Sequence, residues 1–80
     1  MELTRDWTQR SSNVGVCTYD AETETLEVAF QHGGRYRYTD VPEALAAPLL
    51  HEQPEGFSPG GYVSMTFVKQ PERFNVERLP

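Results

Sequence analysis

Eighty residues, 38% hydrophobic and 24% charged, read as one small soluble domain and exclude a disordered chain. One cysteine excludes an internal disulfide, so the core has to hold without a staple. Seven basic against twelve acidic residues leave a formal charge of −5, which argues against long-range steering toward RNA or DNA. No run approaches the length of a membrane span, and the first residues lack an apolar signal core. A cytoplasmic protein without a membrane partner is the expectation.

Residues 1–10 are polar apart from Leu3 and Trp7 and read as a loosely ordered lead-in to a single domain over 11–80. Trp7 reads as a lid over the edge of the core, with an exposed partner contact as the alternative. After the polar Ser11-Ser12-Asn13, Val14 to Tyr19 reads as the first strand. Asp20 to Glu24 reads as a turn in which Asp20 bonds the backbone ahead of it. A four-residue loop, Ala21 to Glu24, sets Tyr19 opposite Leu26 and Cys17 opposite Val28, with Cys17 and Tyr19 on the core face. Val14 and Val16 then point outward unless a bulge intervenes, and one is expected near Gly15. Cys17 reads as a small buried hydrophobe, because no spacing supplies the base a reactive thiol needs.

Leu26-Glu27-Val28-Ala29-Phe30 and Arg35-Tyr36-Arg37-Tyr38 are alternating runs on either side of Gly33-Gly34, the pattern of a β-hairpin. A two-residue turn at the glycines would set Phe30 opposite Arg37 and divide the apolar residues between faces. A three-residue loop, His32-Gly33-Gly34, sets Phe30 opposite Tyr36 and Val28 opposite Tyr38. The second register is expected, with Gly34 in the left-handed conformation.

Val41-Pro42-Glu43 opens a helix over 42–52, with Pro42 at its first position and Val41, Leu45 and Leu49 in one apolar line. Pro48 removes the bond to the Ala44 carbonyl and predicts a short, bent helix. Tyr62 to Lys69 is rich in β-branched and aromatic residues, yet Tyr62, Met65, Phe67 and Val68 also fit one helical face. Periodicity leaves strand and helix both open there. Phe74-Asn75-Val76-Glu77 is compatible with a short last strand.

The succession Ser12-Asn13, Tyr19-Asp20, Leu26-x-Val28-x-Phe30, Gly33-Gly34-x-Tyr36-x-Tyr38, Val41-Pro42 and Ser58-x-Gly60-x-Tyr62 resembles the KTSC domain. That family is named for a domain at the C-terminus of some lysyl-tRNA synthetases and also occurs as small free-standing bacterial proteins. The resemblance covers about residues 11–78, one domain. It implies a helical stretch after the Gly-x-Tyr step, although Val63-Ser64 stand where members usually carry Phe-Asn. It also implies a connection to RNA through the synthetases. The fold expected on this basis is α+β, a three-stranded antiparallel meander covered on one face by a short helix and the helical 60–70 segment.

Tyr36-Arg37-Tyr38 has two readings. Aromatics on an open sheet can stack bases beside a phosphate-binding arginine. The register instead puts both tyrosines on the covered face, leaving Arg37 near Glu27 on the solvent side. Gly60-Gly61 ahead of a helix offers backbone N–H groups to an anion. His32, His51 and Cys17 have no metal-ligand spacing, and no catalytic residue or cofactor is expected. Two functions stay open. One is a protein-interaction module with an aromatic-rimmed surface near Tyr62 and Trp7. The other is a weak RNA binder acting through Arg35, Arg37 and Lys69, with Arg73 in support.

Overall fold

A computed structural model describes residues 2–54, 56–69 and 72–79. Its strands are β1 (Glu2–Asp6), β2 (Val14–Asp20), β3 (Thr25–Phe30), β4 (Arg35–Thr39) and β5 (Asn75–Leu79). They form one antiparallel sheet in the order β1-β2-β3-β4-β5. Between β4 and β5 come α1 (Glu43–Leu50), α2 (Pro59–Val63) and a π-helical turn (Ser64–Val68). The fold is therefore α+β, with five strands rather than three and a short last one. Among the described residues no helix is long and apolar enough to cross a membrane.

The strand missing from the sequence reading is β1, which lies within the stretch expected to be loosely ordered. Its alternation is hidden because Arg5 occupies an inward position between Leu3 and Trp7. Leu3 pairs with Tyr19 and Arg5 with Cys17, both core-facing positions. Trp7 follows the strand and is fully buried, as a lid rather than an exposed contact. Its indole Nε1 donates to the Leu49 carbonyl at 2.8 Å, and its backbone N–H donates to Gly15 at 2.9 Å.

The β2–β3 pairing follows the expected register, with Tyr19 opposite Leu26 and Cys17 opposite Val28. The bulge lies between Val14 and Cys17 and returns Val14 to full burial while Val16 stays outside. Asp20 accepts the Glu22 N–H at 2.9 Å, the turn bond its position implied. The β3–β4 hairpin keeps the expected faces but slides by two residues: Val28 pairs with Tyr36 and Leu26 with Tyr38. Phe30 instead lies across from Gly34, whose carbonyl accepts its N–H at 3.0 Å, so the three loop residues are 31–33. A two-residue slip preserves every inward side chain, which is why alternation cannot detect it. Gly34 has the expected positive φ of 92°, and Gly33 has one too, at 104°.

On the inner face Leu26, Val28, Val41, Ala46, Leu49, Val63, Phe67 and Phe74 close the core. Helix α1 stays continuous through Pro48 and ends two residues later. Three aromatic donors reach backbone carbonyls along its apolar line. Tyr19 donates to Val41 at 2.6 Å, Tyr62 to Leu45 at 2.5 Å, and Trp7 to Leu49. The Val41 carbonyl precedes the helix and that of Leu49 lies in its last turn, where carbonyls lack intrahelical partners, while Leu45 accepts from within it; the three bonds tie the helix to the sheet and to α2. The Tyr62–Lys69 segment is helical, as the family resemblance implied. Ser58 caps it by accepting the Gly61 N–H at 3.0 Å, and Pro59 occupies the first turn.

Candidate functional site

The helical layer does not cover the sheet evenly. Helix α1 packs over β1 and β2, and the π-helical turn faces β4 and β5 less closely. A groove of about 430 Å³ remains, lined by Phe30, Gly33, Tyr36, Tyr38, Phe67, Val68 and Val76. Each wall has a local cause. Inward alternation on β3 and β4 supplies Phe30, Tyr36 and Tyr38, and Val76 pairs with Tyr38 from β5. The π turn closes with Lys69 N–H donating to Ser64 at 2.9 Å. It buries Phe67 while leaving Val68 54% exposed and Met65 68% exposed. π-helical turns recur at functional sites because they re-aim side chains in this way.

The floor of the groove is a packed aromatic set. Phe30 meets Tyr36 edge-on at 5.7 Å between centroids, and Phe67 lies 5.1 Å from Tyr38 and 5.0 Å from Phe74. Burial, with a smaller contribution from neighbouring Tyr36, pushes the Tyr38 phenol above its usual pKa. Gly34 brings the loop close to the Tyr36 ring, where an added Cβ would lie 3.4 Å from Cε2. The surface is apolar, and among the described residues no charged side chain lines it.

Beside the groove, Gly34, Arg35, Arg78 and Leu79 line a shallow depression at the end of β4 and β5. Arg78 pairs with Tyr36 and Arg35 with Leu79, so the two arginines reach this end from opposite faces of the sheet. Asp20, Glu24 and Glu43 gather at the other end of β3. Burial raises the Tyr19 phenol, and Glu24, Glu43 and Asp20 raise it further. The chain thus has an acidic end and, at the β3–β4 loop, an end carrying Arg35 and Arg78.

The residues singled out from the sequence do not form one site. Tyr36 and Tyr38 come together in the groove. Arg37 lies on the outer sheet face, 3.4 Å from Glu27 and 3.2 Å from Glu77. Lys69 follows the π turn in the helical layer, on the other side of the sheet from Arg35 and Arg37. Gly60 and Gly61 lie inside the first turn of α2, with the Gly61 N–H taken by Ser58 and Gly60 packed against Asn13. They serve as a cap and a close-packing point in place of an open anion cradle. Tyr62 is half-buried with its hydroxyl committed to Leu45, and Trp7 is buried, so these two do not form an exposed aromatic rim. Val68, Val76 and Arg78 escaped the sequence reading, because their roles depend on the π turn and on the β5 register. Cys17 is fully buried, and burial pushes its thiol up to about 12. Among the described residues no group of three His, Cys, Asp or Glu side chains is placed to hold a metal ion.

A sequential five-stranded meander with a helical layer on one face defines a small α+β domain. The family model for the KTSC domain matches residues 10–63, more than half of the chain, and the protein belongs to that family. The crystal structure of a KTSC domain protein from Yersinia pestis superposes with a TM-score of 0.77 at 20% identity, covering 100% of both chains. At that identity the likeness is one of fold. No curated protein matches the chain.

Proposed function

We propose that this KTSC domain is a non-catalytic protein-interaction module whose docking surface is the groove between β4, β5 and the π-helical turn. The observation that carries the reading is the uncovered apolar floor. Tyr36, Phe30 and Phe67 lie at the base of an open groove of about 430 Å³, with Val68 and Val76 half exposed at its rim. Aromatic clusters flanked by exposed aliphatic side chains suit a partner that presents apolar side chains. RNA binding through Arg35, Arg37 and Lys69 has less support. Arg37 already faces two carboxylates, and Lys69 lies on the opposite side of the sheet.

The test places a photo-crosslinking phenylalanine analogue at Val68 and, as a control, at Thr23 in the acidic turn. In cells of the native host, Val68 should yield adducts that resist nuclease and are destroyed by protease. Excess wild-type chain should compete with them, and a chain carrying Val68→Glu and Val76→Glu should not. Equal adducts from both positions, or nuclease-sensitive ones, would remove the reading.

A further inference from the structure

We propose that the groove receives an extended peptide, apolar at alternate positions and carrying an acidic residue, which adds as a strand beside β5 and sets its carboxylate against Arg78, with Arg35 adding its charge from the other face at the same end of the sheet. The inference rests on the protein-docking reading and specifies the chemistry of the partner.

Strand β5 is one of the two edge strands of the sheet, the one beside the groove, and among the described residues nothing pairs with its far edge. Unpaired edges of this kind accept extended segments through main-chain hydrogen bonds, while pockets for alternate side chains set the specificity. Here the pocket adjoins the edge. Val76 faces inward with Tyr38 and lines the groove, and Arg78 faces inward with Tyr36 two residues on. A strand laid beside β5 would place one inward side chain next to Val76 and another next to Arg78.

Charge selects the partner. Among the described residues no acidic side chain lines the groove or the depression beside it. Among the described residues neither Arg35 nor Arg78 forms an ion pair, whereas Arg37 faces both Glu27 and Glu77. Asp20, Glu24 and Glu43 surround Tyr19 at the opposite end of β3, too far to neutralise the two arginines. A carboxylate at the hairpin end, following apolar side chains seated in the groove, complements both surfaces. A basic partner would meet two like charges.

The test selects phage-displayed random nonapeptides on the intact 80-residue chain and measures the enriched peptide, fluorescein-labelled, by anisotropy. Enriched sequences should alternate apolar residues and carry Asp or Glu near one end. Arg78→Glu should weaken binding about tenfold, and a peptide with Lys in place of its acidic residue should regain affinity for that variant. Arg35→Glu should act in the same direction. Equal urea midpoints will show that these exposed-site variants fold. Methylating alternate backbone nitrogens of the peptide should abolish binding in one of the two alternations. No enrichment, enriched peptides without an acidic residue, or affinity indifferent to Arg78→Glu or to both methylation patterns would overturn the inference. If Val68 still crosslinks protein in that case, docking stands and only the strand-adding peptide is lost. If the crosslink also fails, the docking reading falls with it.

Discussion

Trp7→Phe probes the bond that fastens the N-terminal strand to the helical layer. Phenylalanine keeps an aromatic ring in the site but removes the indole N–H, leaving the Leu49 carbonyl without its 2.8 Å partner. A buried acceptor stripped of its donor costs about 1–3 kcal/mol. The smaller ring leaves an incompletely filled space worth about 1 kcal/mol at about 24 cal/mol per Å³. Arg5, 4.8 Å from the indole centroid, and Arg10, at 5.5 Å, lose part of their stacking, although phenylalanine retains some of it. The total is about 2–4 kcal/mol, a large fraction of what a domain of this size possesses. Because the chain has one tryptophan, urea unfolding of the variant has to be followed by far-UV circular dichroism. A midpoint shift equivalent to less than about 1 kcal/mol would show that Trp7 does not anchor the helical layer.

Gly33→Ala and Gly34→Ala should each cost about 1 kcal/mol, because both residues have positive φ. Gly34→Ala should cost more, since its Cβ meets the Tyr36 ring while that of Gly33 meets nothing within 4 Å; equal losses in urea melts would contradict that packing. Stability should also fall in alkali. Below pH 9 the thiol of Cys17 is protonated whether folded or not; above its ordinary value of 9.0 only the unfolded chain releases the proton, up to the folded value of about 12. About 1.4 kcal/mol should be lost by pH 10, and the raised phenols of Tyr19, Tyr38 and Tyr62 should add to the loss at higher pH. Urea midpoints unchanged from pH 8 to 10, or a slope unaltered by Cys17→Ala, would contradict this account.

The parts of the fold legible in the sequence are those governed by a local period. Cys17 and Tyr19 opposite Val28 and Leu26 follow from alternation and loop length, and so does the bulge that turns Val14 inward. What alternation cannot fix is a slip of two, and the β3–β4 hairpin slipped by that amount. Strand β1 escaped notice because Arg5, an inward residue stacked on Trp7, looks polar in sequence. The Tyr62–Lys69 segment has the composition of a strand and the structure of a helix. There the Ser58-Pro59 cap and burial of Phe67 against Tyr38 outweigh propensity. The candidate groove was half legible: Tyr36 and Tyr38 belong to it, but Arg37 and Lys69 do not. Phe67, Val68 and Val76 join it only through tertiary packing.

The sequential strand order also bears on how fast, and in what order, the molecule assembles. The turns joining β2 to β3 and β3 to β4 are short, so these strands can zip up through cheap local closures. Strand β5 has to find β4 across residues 40–74, and Trp7 has to find a carbonyl 42 positions away. Both contacts belong on the native side of the folding barrier. Disrupting them should chiefly steepen the rate of unfolding and leave the refolding arm of a chevron nearly unchanged. The groove lies where β5 and the π turn meet the β3–β4 hairpin, so on this expectation its walls should be the first part to open, which native-state hydrogen exchange would read. A strand seated beside β5 would then act as a kinetic latch, slowing the escape of the whole domain from its native state.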